Sequence, residues 1–535
     1  MPTRLAPVAA LLFALSGCPR EARPPPLVDC TSVVHTRLGP VRGMEQGDSC
    51  AWRGLPFAKP PVGGLRWKAP QPPEPWQETR DATQWAARCM QSDSPLAGQI
   101  AADPSGRMSE DCLYLNVWRP RREGRYPVMV WIHGGAYAHG TANTPTFWGD
   151  RLAPGQGVVV VTIAYRLGNL GFLALPALEA ESPEGMTGGY GTLDQIAALR
   201  WVRANIEAFG GDPTDVTIFG ESAGGWSVCT LMASPLSRGL FERAIMQSGG
   251  CQMVSTLEAG FARGRELAAK LECPPDDLAC LRAVTAERIV EASPSPTFTR
   301  ITYGPHIDGD LLLEPPIETL RQGAGARGPL LAGTNRDELL LNAVSLPPLV
   351  GPLEAAYDSI VEQVLGLSAE DADALVALYP LSEFGDQPGR AIAQMVTDEA
   401  FTCPTLEAVE AVARSGGQAW LYRFDFDQLN LPAVSGAVHG AEIGLVFGTP
   451  DRPFSDTFFG EEQRAAAQPL AAAMQAAWAS FAKRGAPRAK GLPEWPAYAP
   501  SDPRLMALDL ESRVEPVRSR PRCAWWAEHD LELRF

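Results

Sequence analysis

Short, nearly unbroken apolar runs punctuate this chain, and amphipathic stretches lie between them. Tyr126 to Ile132 (YPVMVWI), Val158 to Tyr165 (VVVVTIAY), Val216 to Phe219 (VTIF) and Ala244 to Gln247 (AIMQ) are of strand length, and Pro329 to Gly333 and Ala419 to Phe424 follow later. Runs without polar alternation predict strands covered on both faces, as in a parallel sheet between helices. Leu193, Ile196, Ala197 and Leu199 lead on to Trp201 and Ile206 at helical spacing, in a segment that closes before Gly210-Gly211. Near the C-terminus Leu470, Met474, Trp478 and Phe481 recur at steps of four, four and three, with Pro469 near the predicted helix start and Gly485 just past its end. Thr31 to Pro70, with turns such as Leu38-Gly39-Pro40, predicts a small N-terminal β meander. Alternation of strands and helices over hundreds of residues predicts an α/β fold, read as one domain over residues 30–535.

Composition narrows the picture. A formal charge of −16 argues against nucleic acid, whose phosphates need basic partners. The 45% hydrophobic content is enough for a large core. At the N-terminus Arg4 precedes an apolar stretch, Leu5 to Leu15, too short to span a bilayer, and Leu15-Ser16-Gly17-Cys18 resembles a bacterial lipobox. Residues 1–18 therefore read as a lipoprotein-type signal peptide with Cys18 as the lipid anchor, the alternative being an ordinary signal peptide cut nearby and a secreted protein. Pro19 to Asp29 reads as a proline-rich tether, and a residue other than aspartate at 19 points to the outer membrane. Beyond that anchor no membrane contact is expected. Of eleven cysteines, ten remain once Cys18 is set aside, an even number that suits disulfides in an oxidising compartment.

The chemistry centres on Gly220-Glu221-Ser222-Ala223-Gly224, a G-x-S-x-G match. Five residues alone are a weak signal in a chain with 51 glycines, but this motif lies where Val216 to Phe219 turns into the helical stretch Ala223 to Met232. That is the setting in which a sharp turn exposes a nucleophilic serine at the end of a sheet. A serine hydroxyl needs a base, and only His306, His439 and His529 follow Ser222. Position favours His439 over His306 without deciding between them. His529, beside Trp525-Trp526 near the chain end, reads as structural. Asp337 and Glu338, just after the Pro329 to Gly333 strand, are both candidates for the supporting acid.

Several spaced segments resemble the type-B carboxylesterases, the family that includes cholinesterases. They are Trp52 to Ala58 with Pro60-Pro61-Val62-Gly63 and Leu65-Arg66-Trp67; Ser109 to Val117; and Gly191 to Gln195 through Phe209-Gly210-Gly211-Asp212-Pro213. The resemblance covers most of the chain beyond the tether and implies an α/β-hydrolase fold and a serine ester hydrolase. It implies Ser222 as nucleophile, and Thr334-Asn335-Arg336-Asp337-Glu338 as the acid loop, which selects Glu338. Val438-His439-Gly440-Ala441-Glu442-Ile443 matches the histidine segment, while His306 stands where the family usually has an aliphatic residue. His133-Gly134-Gly135-Ala136-Tyr137 resembles the oxyanion-hole loop with its third glycine replaced, giving Gly135, Ala136 and Ala223 as expected N–H donors. Leu339 stands where the acid loop commonly has glycine, and Glu221 is expected to add negative potential near His439.

The same resemblance implies the pairs Cys89–Cys112, Cys273–Cys280 and Cys403–Cys523, leaving Cys30 with Cys50 and Cys229 with Cys251 to pair by proximity. Met90 to Asp111 contains no aromatic residue, so the tryptophan that binds choline in the corresponding cholinesterase loop has no counterpart. The expected partner is a small-molecule ester, and the mechanism calls for no metal or cofactor. Amidases, thioesterases and polyester hydrolases use the same triad, and the fold also has non-catalytic binding members. Filled serine, histidine and acid positions favour an enzyme.

Overall fold

The computed structural model describes residues 25–92, 102–294, 302–343, 357–431 and 436–529. The signal segment with Cys18 lies outside the described residues, as does part of the tether and of the loop closed by Cys89 and Cys112. The architecture is an α/β-hydrolase fold built on an eleven-stranded sheet. In chain order its strands are β1 (Met44–Gln46), β2 (Ser49–Pro56), β3 (Tyr114–Pro120), β4 (Tyr126–Ile132), β5 (Val159–Ile163), β6 (Gly211–Glu221), β7 (Arg243–Gln247), β8 (Leu330–Asn335), β9 (Ala419–Phe424), β10 (Arg504–Leu508) and β11 (Arg513–Pro516). Their order in space is β11-β10-β9-β8-β7-β6-β4-β5-β3-β2-β1. From β10 to β5 all neighbours run parallel, and antiparallel strands close both edges.

The parallel centre follows from the apolar runs: every side chain of Val159–Ile163 is buried, as is every one of Leu330–Asn335. Helices α1 (Tyr190–Asn205), α2 (Ala223–Ala233), α3 (Pro388–Thr397), α4 (Cys403–Arg414) and α5 (Glu461–Arg484) flank the sheet or cap its carboxyl ends. Trp131 on β4 packs edge-on against Phe219 of β6 and Phe447, with centroids 4.8 and 5.1 Å away. This aromatic layer lies beneath the turn that follows β6.

One expectation is corrected and two gain detail. Pro469 does not open the C-terminal helix but lies in its third turn, because the alanine-rich run after Glu461-Glu462 already forms helix upstream. The ring removes one backbone bond, offset by the buried face of Leu470, Met474, Trp478 and Phe481. The N-terminal meander is divided: Val33–His35 and Pro40–Arg42 form a small sheet with Arg80–Asp81, whereas β1 and β2 extend the central sheet. Strands β3, β10 and β11 are additional to the expected set; β10 and β11 are short and carry charged residues, which masks their pattern.

Among the described residues there are five disulfides, joining Cys30 to Cys50, Cys89 to Cys112, Cys229 to Cys251, Cys273 to Cys280 and Cys403 to Cys523. The last closes a loop with a sequence separation of 120, a constraint worth about 4–5 kcal/mol in the chain-entropy account. Two sequence motifs prove to be structural ties. Arg66 grips Glu110 with two hydrogen bonds of 2.7 and 2.6 Å, and Arg166 grips the fully buried Asp194 at 2.7 and 2.8 Å. Removing one partner of the buried Arg166–Asp194 pair costs about 3–5 kcal/mol, so that pair holds the frame around the site.

Candidate active site

Ser222 occupies the single residue between β6 and α2, with φ 57° and ψ −124°. This strained conformation is fixed from both sides: its N–H donates to the Gln247 carbonyl (3.0 Å), and its own carbonyl accepts the Trp226 N–H (2.9 Å). The flanking glycines are required by space. A Cβ on Gly224 would fall 2.0 Å from the Ile132 carbonyl oxygen, and one on Gly220 would fall 2.6 Å from Gly224. G-x-S-x-G is therefore what lets strand, turn and helix approach this closely. Ser222 is 8% exposed at the carboxyl end of the sheet.

The loop 133–140 after β4 runs beside this turn. A Cβ on Gly134 would lie 3.0 Å from the Ser222 Cβ, so the loop touches the serine. Gly135, Ala136 and Tyr137 all have positive φ, at 107°, 53° and 57°. The left-handed region is open to alanine at a cost of roughly 1–2 kcal/mol, so the missing third glycine leaves the loop's course intact. Bonds on its far side stabilise it. Gln91 makes a reciprocal pair with Gly140 (both 2.9 Å), the Tyr165 hydroxyl donates to the His133 carbonyl (2.9 Å), and Gly168 N–H donates to the Tyr137 carbonyl (2.8 Å). The fully buried His133 ring stacks on Tyr165, and burial lowers its pKa to about 4, so it stays neutral. Ala223 opens helix α2, whose first amides and dipole favour a developing negative charge.

Opposite stands His439. Its Nδ1–H donates to Glu338 Oε2 (2.6 Å) and its Nε2 lies 3.2 Å from Glu221 Oε1, on the residue next to Ser222. The backbone binds the two loops as well, since His439 N–H donates to the Glu338 carbonyl (3.2 Å). Glu338 is buried at the end of β8, where its Oε1 accepts the Asn335 N–H (2.7 Å). Leu339 is accommodated at the glycine position: it is buried, and its N–H donates to Thr397 Oγ1 (3.2 Å). Asp337 faces away, accepting the Ala437 N–H (2.8 Å) and pairing with Arg336 (2.9 Å).

The structure thus brings together Ser222, Glu221, Glu338, His439 and the 133–140 loop. The other two histidines lie elsewhere. His306 is buried against the Gly188 carbonyl and Arg263 Nη2, both at 3.2 Å, and burial and Arg263 lower its pKa to about 4. His529 stacks on Trp525 at 4.0 Å.

Four participants went unassigned from the sequence. Glu442 is buried beneath the histidine, accepting from Gln247 Nε2 (3.0 Å) and Asn335 Nδ2 (2.7 Å). Asn335 also donates to the Val438 carbonyl (2.7 Å), so one amide joins the acid loop, the histidine loop and Glu442. Phe401, from a turn of π-helix over Asp398–Thr402, packs its ring 4.9 Å from the imidazole. Glu442, Asn335 and Gln247 lay inside quoted segments, but nothing in the sequence signals Phe401.

Charge at the site follows from this crowding. Burial is the largest influence on His439 and favours the neutral ring, but Glu221, Glu338 and Glu442 together outweigh it and raise its pKa to about 9. Burial raises Glu221 to about 8, opposed by His439 and reinforced by Glu442 and Glu338. Because only the neutral imidazole accepts a proton, activity is expected to rise with pH through the His439 ionisation. Glu221→Gln removes one flanking carboxylate, so the acid limb of kcat/KM is expected to move to lower pH by on the order of 1 unit. Rate profiles between pH 5 and 10 check this, and an unmoved limb would show that Glu221 does not act on His439.

A profile of the carboxylesterase family matches residues 30–526. The chain belongs to the carboxylesterase family. It is 39% identical to the fumonisin B1 esterase of Sphingopyxis macrogoltabida over 87% of this chain and 84% of that protein. It is 36% identical to the para-nitrobenzyl esterase of Bacillus subtilis, covering 90% and 96%. Among solved structures this carboxylesterase is similar to a PNB esterase, with TM-score 0.81, 35% identity and 93% and 99% coverage. A carboxylesterase of Geobacillus stearothermophilus matches with TM-score 0.80, 35% identity and 92% and 99% coverage. The protein is a serine-hydrolase-type esterase acting on ester substrates.

Proposed function

We propose that this carboxylesterase cleaves carboxylic esters through an acyl-enzyme on Ser222. His439 takes the hydroxyl proton as Oγ attacks the ester carbonyl, and Glu338 holds the ring's tautomer and stabilises the imidazolium. The N–H groups of Gly135, Ala136 and Ala223 stabilise the tetrahedral oxyanion, each such donor being worth about 3 kcal/mol. The imidazolium then protonates the leaving alcohol, and water repeats the sequence on the acyl-enzyme. None of these steps requires a metal or a cofactor.

The observation that carries this reading is the buried Glu338 carboxylate 2.6 Å behind an imidazole whose other nitrogen faces the strained serine turn. Phe401, packed on the imidazole ring, sets an apolar group beside the reacting atoms, which suits an uncharged acyl or alcohol group. The relatives' names, fumonisin B1 esterase and para-nitrobenzyl esterase, support an ester in preference to an amide substrate. A burst of alcohol release from an activated aryl ester, with one organophosphonate bound per chain at Ser222, is the expected outcome. Absence of labelling, or labelling at another serine, would overturn it. A series of acyl chain lengths run beside the matching amides and thioesters then defines the substrate.

The same proposal extends to location: an exported protein held on the bacterial envelope by lipid on Cys18. In support, the N-terminal residues have the order of a lipoprotein signal, and the other ten cysteines are all engaged in five disulfides. Expressed with its full N-terminus, the protein is expected to partition with membranes and the Cys18→Ala variant with the soluble fraction. Equal partition of the two would refute the anchor.

A further inference from the structure

The turn after β7 follows directly on the residue that holds the Ser222 N–H, and it is braced in an unusual way. Gln247, at the end of β7, accepts the Ser222 N–H through its carbonyl (3.0 Å). Its side chain donates to Glu442 (3.0 Å) and accepts from Trp478 Nε1 (3.0 Å). The next residue, Ser248, has φ 45°, a left-handed conformation that costs a non-glycine residue energy, and Gly249-Gly250 follow. Such a sequence has little intrinsic tendency to keep one shape. Yet it packs backbone to backbone on helix α2: a Cβ on Gly225 would lie 2.7 Å from the Gln247 carbonyl oxygen and 3.0 Å from Gly249 Cα.

Directly after these glycines comes Cys251, bonded to Cys229 two helical turns beyond Ser222 on α2, both almost fully buried. On its other side the same turn grips the segment that bears Phe401. Thr405 Oγ1 donates to the Gly249 carbonyl (2.9 Å), and Gln252 Nε2 donates to the Ala400 carbonyl (2.9 Å). Phe401 in turn stacks toward Trp226 of α2 and packs on the His439 ring, with centroids 6.5 and 4.9 Å away. Helix α2, the 248–252 turn and the π-helical turn therefore form a closed circuit around the serine and the imidazole.

We propose that the Cys229–Cys251 disulfide is a positioning element for catalysis: it locks the 248–252 turn to the nucleophile's helix, so that Ser222 and the Phe401-backed imidazole keep a fixed relative placement. This rests on the reading of Ser222 and His439 given above. A bridge that merely stabilises the fold raises the melting temperature and leaves the chemistry untouched. A positioning bridge sets kcat, because loss of alignment between nucleophile and base slows proton transfer and attack while the substrate's binding surface remains.

The test is Cys229→Ala/Cys251→Ala in the full chain, assayed well below its own melting temperature. Active sites are counted by organophosphonate titration, so that misfolded protein does not enter kcat. The expected result is a roughly tenfold lower kcat per titrated site with KM within twofold of the native enzyme, and slower phosphonylation to match. A lower melting temperature with native kcat per site would overturn the proposal. Cys229→Val/Cys251→Ala refills the space left by the sulfurs and carries the same test should the alanine pair not fold. Thr405→Val keeps the bridge and cuts the turn's other attachment. It is expected to lower kcat by about threefold, and native turnover in it would also overturn the proposal. Failure of the Ser222 reading is distinguishable, since the native enzyme would then carry no organophosphonate on Ser222.

Discussion

Ser222→Ala and His439→Ala are each expected to lower ester turnover by at least about four orders of magnitude. The serine change removes the only atom that can form the acyl-enzyme. The histidine change leaves the hydroxyl at its ordinary pKa, where it is a poor nucleophile. The two losses are not additive, because neither group acts without the other, so the double variant should resemble either single one. What persists is the modest acceleration supplied by the oxyanion donors and by binding. Both variants should fold: Ser222 is held by its backbone, and the His439 N–H keeps its bond to the Glu338 carbonyl when the ring is removed. Steady-state rates with an activated ester, beside circular dichroism and melting temperature, check the claim. Turnover within tenfold of native in either variant would refute the roles given to these residues.

Glu338→Gln is the next largest expected effect, a fall of roughly three to four orders of magnitude in kcat. The carboxylate accepts Nδ1–H at 2.6 Å and so fixes the tautomer whose Nε2 carries no proton and can act as base. Glutamine can offer its amide N–H₂ in place of an acceptor, which selects the opposite tautomer. The Asn335 N–H, which donates to Glu338 Oε1 at 2.7 Å, biases the amide oxygen toward itself and the N–H₂ toward the imidazole. The variant also removes a charge that stabilises the imidazolium, so the apparent pKa of His439 is expected to fall. Rate against pH reports both contributions: a wrong tautomer and a less stabilised imidazolium depress the plateau at every pH, and the charge loss also moves the acid limb. Native plateau activity would show that Glu221 or Glu442 can orient the ring instead.

Much of the site was legible because its backbone requirements are written as residue types. Ser222 announces itself through Gly220 and Gly224, where any side chain would strike Ile132 or Gly224. Glu338 and His439 were ambiguous from position alone, since Asp337 adjoins Glu338 and His306 likewise follows Ser222. Only the likeness of their segments to a known family separated them. The structure supplies the physical reason: His306 is committed to Gly188 and Arg263, and Asp337 to Ala437 and Arg336. Phe401 was invisible because its part depends on a π-helical turn that has no apolar periodicity of its own.

By itself the sequence determined the strand–helix alternation, the parallel sheet centre and the serine turn. Each rests on local chemistry: apolar runs need covering on both faces, and a tight turn needs glycines. Tertiary structure alone decided which carboxylate stands behind which imidazole and how three buried glutamates crowd one histidine. It likewise decided that the 248–252 turn is braced against both the nucleophile's helix and the Phe401 segment. Several of those relations join residues more than a hundred positions apart, as between Glu338 and His439 or between Gly249 and Thr405. Their energies depend on distance, burial and shared hydrogen bonds, and none of these exists until the chain has closed on itself.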